Sequence, residues 1–281
     1  MTFQPIVPIG GFVGWTLLQR TMDSQRETFD AAPQRQRDVD YFRQNIGRVG
    51  SAEELVSDRR LLGVALGAFG LSEDLPNKAF IQKVLEEGTS DPRALANRLA
   101  DKRYLALSDA FGFGNGTLPK TGQAGFGDRI AEQYLQRQFE VGVGRSDESL
   151  RLALQFSREI PDLAARDVSD ETKWLTVMGT PPLRKVFETA LGLPQSFGAL
   201  DLDQQLREFK DRAAGVLGGD GFSALADPET REEFLRLYLA RAQIAGMGAA
   251  ASAVTSPALT LLQQASANAP TGSLVSLLQP R

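Results

Sequence analysis

Apolar residues recur every three or four positions through most of the chain, and no stretch sustains period-two alternation of β-branched residues. That pattern predicts helices and no sheet. After an extended lead over residues 1–10, Phe12, Trp15, Leu18, Met22 and Phe29 define a helical stripe reaching about Ala32. Pro33 suits the first turn of the next helix, a polar one with Val39, Phe42 and Ile46 inward and Gly47 at its end. Ser51-Ala52-Glu53-Glu54 has the form of a capping box, and Asp58 and Asn77 stand where caps are needed for two further helices. Asp91-Pro92 restarts a helix with Leu95 and Leu99 inward, and Asp101 caps one carrying Tyr104, Leu105, Ser108 and Phe111. A Gly-rich loop over 112–127 interrupts the series. Helices resume at Asp128, at Ser146 (where Pro161 is expected to break the pattern), at Ser169, at Thr180-Pro181, over Asp201 to about Leu217, and at Asp227-Pro228.

One stretch recurs. Shifted by 122 residues without a gap, Leu61, Val64, Ala68, Gly70, Leu71, Gln82 and Glu86 meet the identical Leu183, Val186, Ala190, Gly192, Leu193, Gln204 and Glu208. The expected fold is all-α: a multihelical array with an internal duplication of a helix-loop-helix unit. Residues 1–32 form a lead and helix. Residues 33–245 form the duplicated domain, with copies near 58–111 and 180–245, and residues 246–281 form an Ala/Ser-rich tail expected to be mobile. If the copies pack about a pseudo-twofold, the faces of Leu61/Val64/Ala68 and Leu183/Val186/Ala190 share one core.

Composition removes whole classes of chemistry. The chain has neither His nor Cys, which excludes disulfides, thiolate zinc sites, Ser-His-Asp and Cys-His nucleophiles and the two-histidine zinc helix. A net charge of -4 with a pI near 5.2 argues against nucleic acid as a partner. The lead, with no Lys or Arg before Pro8, is no secretory signal, and the broken apolar run Phe3 to Leu18 is too short to span a bilayer. No catalytic, metal or cofactor residues are assigned.

Three patterns come near chemistry. Gly114-Asn115-Gly116-Thr117-Leu118-Pro119-Lys120-Thr121 has the outline of a phosphate loop, but proline replaces the glycine before the lysine and no strand precedes it. Gly112-Phe113-Gly114 and Gly125-Phe126-Gly127 let the backbone turn while Phe113 and Phe126 dock. The loop is expected to be the most mobile internal segment, with Phe113 and Phe126 as candidate partner contacts. Glu148-Ser149 on a helix has a weak likeness to the acid of all-α peptidoglycan lyases, without their downstream Gly-Leu-Met-Gln segment. In the tail, Ala258-Leu259-Thr260-Leu261-Leu262-Gln263 recurs as Leu274-Val275-Ser276-Leu277-Leu278-Gln279. Leu274, Leu277 and Leu278 are therefore candidate partner contacts for docking into a groove.

The repeat, with Asn77-Lys78-Ala79-Phe80-Ile81-Gln82-Lys83-Val84-Leu85-Glu86 and Leu99-Ala100-Asp101-Lys102-Arg103-Tyr104 closing on Phe111-Gly112-Phe113-Gly114, resembles the bacterial family called domain of unknown function 1217 over most of residues 35–245. The resemblance implies a multihelical fold and a place among flagellar genes of alphaproteobacteria, whose members are sometimes labelled flagellar basal-body rod proteins. With the missing chemistry and the all-α duplicated scaffold, it leads to the expectation of a non-enzymatic, flagellum-associated structural or interaction protein with a protein partner, located in the cytoplasm or at the flagellum; only the resemblance points to flagella. The alternatives are a cell-envelope enzyme acting on peptidoglycan and a cytosolic binder of an exported flagellar subunit.

Overall fold

The computed structural model describes residues 3–218 and 221–246, and among them every regular element is helical. The α-helices are α1 (Gly11–Asp30), α2 (Pro33–Asn45), α3 (Ala52–Ser57), α4 (Arg59–Ala68), α5 (Lys78–Glu87), α6 (Leu95–Arg98) and α7 (Lys102–Phe111). They continue with α8 (Phe126–Gly144), α9 (Glu148–Ala165), α10 (Asp170–Met178), α11 (Pro181–Leu191), α12 (Leu202–Leu217) and α13 over 228–246. Their starts follow local chemistry. Asp58, Asp101, Asp147, Ser169 and Asp201 each accept a backbone N–H of the first turn, satisfying donors that the helix itself leaves unpaired. Ser51 accepts Glu54 N at 3.2 Å while Glu54 Oε2 accepts Gly50 N at 2.6 Å, so the capping box closes one residue outside its usual partner. Asn77 caps nothing; its amide donates instead to Asp74 Oδ1 at 2.9 Å.

Pro161 does not end α9. The helix runs on to Ala165 because Ile160, Leu163 and Ala164 are buried, and their packing outweighs the one backbone bond that proline removes.

The two stretches related by 122 residues share a helix end. Leu71 N donates to Leu66 O at 2.8 Å and Gly70 N to Gly67 O at 3.2 Å; Leu193 N donates to Glu188 O at 2.9 Å and Gly192 N to Thr189 O at 3.2 Å. Gly70 and Gly192 hold φ of 71° and 66°, a conformation that side chains resist.

The expected shared core is not there. Leu61, Val64 and Ala68 are buried in a cluster with α2, α3, α5, α7 and the start of α8, around Phe42, Phe111 and Phe126. Leu183, Val186 and Ala190 are buried in a different cluster with α1, α9, α10, α12 and α13, where Trp174, Phe187 and Phe222 meet edge to face or stacked. Each apolar stripe is covered by its own neighbours, and α8 and α9 pack together to join the two halves.

Candidate functional site

Where the halves meet, α7, α8, α9 and α10 wall a cleft of about 890 Å³. Its position follows from the two-core arrangement: α7 belongs to the first core, α10 to the second, and the linked α8–α9 pair holds them apart. Lys102 N donates to Gly179 O at 2.7 Å, closing one end. The apolar side chains on its surface are Phe69, Leu105, Leu163, Leu175 and Leu183. Lys102, Arg103, Arg137, Arg158 and Arg166 face Asp109, Glu159 and Asp162 around them, a cationic excess. Lys102 Nζ is held by the carbonyls of Asn97 and Leu99, and Arg166 has no ion pair among the described residues.

One wall is a connected ion network. Arg137 Nη2 donates to Glu159 Oε1 at 2.7 Å and its Nε to Ala68 O at 3.1 Å. Arg158 forks onto Glu140 at 2.7 and 3.0 Å and also reaches Glu159 at 3.2 Å. Gln155 Nε2 donates to the same Glu159 oxygen at 3.1 Å. Burial lowers the Arg137 pKa, with Arg158 adding to it and the glutamates opposing it. Burial works the same way on Arg158, but the hydrogen bond and charge of Glu140 outweigh it and raise that group. The network is thus a cross-brace between α8 and α9 in which each carboxylate already has its donors.

The residues singled out by sequence lie elsewhere. Phe126 is fully buried, edge to face with Phe111 at 5.2 Å, and Phe113 is half-buried 5.7 Å from the same ring. Both rings pack into the core: Phe126 is wholly enclosed, while Phe113 keeps part of its surface exposed. The 112–127 loop is tied down as well. Asn115 Oδ1 accepts Thr89 N at 2.7 Å, Thr89 Oγ1 at 3.3 Å and Ser90 Oγ at 3.2 Å. The lysine and threonine of the phosphate-loop outline are already used: Lys120 Nζ donates to Asp109 O at 2.7 Å, and buried Thr121 Oγ1 to Val49 O at 2.7 Å. Leu118, at the loop tip, is fully exposed. Glu148 is a surface side chain forked to Arg151, without the apolar pocket that prepares a general acid. Leu274, Leu277 and Leu278 lie outside the described residues.

Among the described residues no helix is long and apolar enough to cross a membrane, and no cluster of acidic residues is arranged to hold a metal ion. The cleft carries no sequence signal of its own. Phe69, Leu105 and Leu175 fall at helical spacing like any core residue, and only the placement of the two halves leaves them in an open groove.

The fold has a counterpart of known structure. The crystal structure of protein AGR_C_984 from Agrobacterium tumefaciens superposes with a TM-score of 0.70 at 26% identity, covering 86% of this chain and 99% of that one. No curated protein matches the sequence significantly. The family model described as "Protein of unknown function (DUF1217)" matches residues 68–230, which hold the ion network and every residue lining the cleft; the chain belongs to the DUF1217 family.

Proposed function

We propose that this protein is a non-enzymatic interaction protein that holds a helical segment of a protein partner in the α7–α10 cleft. The observation that carries the reading is the cleft itself: helical walls, half-buried Leu105 and Leu175 over the buried Leu163 and Leu183, and a cationic rim. An amphipathic helix seats its apolar face in such a groove and keeps its charged face at the rim. Leu105 and Leu175 supply the apolar contact, and Lys102 and Arg166 favour acidic flanks on the guest. The flagellar setting rests on the family resemblance, and we propose a flagellar component as the guest.

The reading is tested by placing a photoreactive phenylalanine analogue at Leu105 or Leu175 and irradiating motile cells. The expected product is a covalent adduct with a flagellar component, absent when the analogue replaces the exposed Val216 of α12. Adducts confined to proteins outside the flagellum, or none, would remove the proposal. Clearing of a peptidoglycan gel by the purified protein would replace it with a cell-envelope enzyme.

A further inference from the structure

The shared ends of α4 and α11 are each closed by an arginine from a later long helix. Arg137 Nε donates to Ala68 O at 3.1 Å, and Arg241 Nη1 donates to Ala190 O at 2.6 Å. Both guanidinium groups lie beside the left-handed glycine: a Cβ on Gly70 would sit 3.3 Å from Arg137 Nη1, and one on Gly192 would sit 2.9 Å from Arg241 Nη1. Around these arginines α8 and α13 carry one pattern, Ile130-Ala131-x-x-Tyr134-Leu135-x-Arg137 and Phe234-Leu235-x-x-Tyr238-Leu239-x-Arg241. Ile130, Ala131 and Leu135 are buried, as are Phe234, Leu235 and Leu239.

We infer that residues 59–144 and 181–246 are two builds of one module with α8 and α13 as equivalent helices, and that the side of α13 matching the α9-covered side of α8 is a docking stripe. Its occupant is a helix from outside this chain that brings a carboxylate to Arg241. On α8 this side holds Arg137 and Glu140, which meet α9, and continues through half-buried Gln136 to exposed Gln133 at the edge of the cleft. There Arg137 takes Glu159 of α9 at 2.7 Å and Glu140 takes Arg158 at 2.7 Å. The matching positions on α13 are Leu237, Ala240, Arg241 and Ile244. Ile244 is 69% exposed, Ala240 is exposed and Leu237 is half-buried. Arg241 spends one nitrogen on Ala190 and has no ion pair among the described residues.

Within the chain α9 meets α13 along a different edge, through Phe156 stacked on Phe234 at 5.4 Å and Ser149 O accepting the Tyr238 hydroxyl at 3.3 Å. Residues 247–281 contain no Asp or Glu to meet Arg241. A half-buried arginine flanked by apolar residues at helical spacing fits a helix that carries a carboxylate beside apolar residues, as α9 carries Glu159 between Phe156 and Leu163. This surface is separate from the α7–α10 cleft, so either reading can fail without the other.

The test uses the full chain and a fluorescent, lactam-stapled peptide with the sequence of α9, Glu148–Ala165. The peptide should bind, and Glu159→Lys in it should weaken binding at least roughly tenfold, because an ion pair becomes a like-charge contact. Arg241→Glu in the protein should reverse that preference. Since Arg241 also closes α11, a second variant is needed: Ile244→Asp should weaken the peptide to a similar degree while leaving the thermal midpoint in place. Absent binding, or binding indifferent to residues 241 and 244, would overturn the inference. So would a near-complete intrachain disulfide between Ile244→Cys and Leu261→Cys or Leu277→Cys in this cysteine-free chain, which would show that the stripe is covered from within.

Discussion

Truncating Leu61 and Leu183 to alanine, singly and together, tests the two-core arrangement. Leu61 is 3% exposed and Leu183 2%, each deep in its own cluster. Removing three carbons at about 0.8 kcal/mol per methylene sets a transfer loss of roughly 2.4 kcal/mol. The cavity left behind adds to it, so each single variant should lose about 2–5 kcal/mol. For a chain of this size that is on the order of 5–15 °C in thermal midpoint. The two clusters share neither residue's neighbours, so the double variant should lose the sum of the singles to within about 0.5 kcal/mol. Urea titrations followed by circular dichroism supply all three values, provided the slopes stay constant. A coupling of roughly 1 kcal/mol or more would refute the separation and restore a common core.

Three further outcomes follow from the loop and the caps. Asn115→Ala withdraws the acceptor for Thr89 N, Thr89 Oγ1 and Ser90 Oγ and should cost about 1–3 kcal/mol, read by urea titration. Gly114→Ala should destabilise the protein and speed trypsin cleavage at Lys120, because a Cβ there runs into Glu86 O and Gly88 N, backbone atoms that cannot turn aside; unchanged cleavage would show that the loop floats free. Burial pushes the Asp58 carboxyl up, but hydrogen bonds from the Tyr41 hydroxyl and the Leu61 and Arg60 amides outweigh it and hold its pKa below the usual value. Its contribution is therefore full above the unfolded pKa of about 3.9 and lost as pH falls through the folded one, so Tyr41→Phe should flatten the acid limb of a stability–pH curve while leaving its neutral limb parallel to the original.

The helices were legible because their signals are local. Asp58, Asp101 and Asp201 announce helix starts, and the spacing of Leu61, Val64 and Ala68 announces a buried face. What covers that face is not local, which is why the identity of Leu61 with Leu183 suggested a shared core that the structure divides in two. Pro161 misled because propensity is weaker than the packing of Ile160 and Leu163. Phe113 and Phe126 looked like contacts because glycines flank them; the same glycines let the loop press close enough to bury Phe126 and half-bury Phe113. The cross-brace of Arg137, Glu140, Arg158 and Glu159 left no trace in the sequence, since charged residues at helical spacing are the ordinary pattern of a solvated face. The likeness of α8 to α13 escaped the single offset because α6 and α7 stand between α5 and α8, whereas among the described residues only a 3-10 turn over Gly221–Ala226 lies between α12 and α13; the hydrogen bonds to Ala68 and Ala190 are what suggest the register.

That cross-brace bears on whether the chain can be divided. A break between Ser146 and Asp147 severs a short turn, yet it parts Arg137 and Glu140 from the partners that neutralise them and strips α8 of its largest neighbour after α4. Neither fragment could keep its buried charges dry alone. Mixed, the two would find each other through the same four side chains and the apolar seam beside them. The molecule is suited to fragment complementation, with a split reporter whose halves stay silent until they meet.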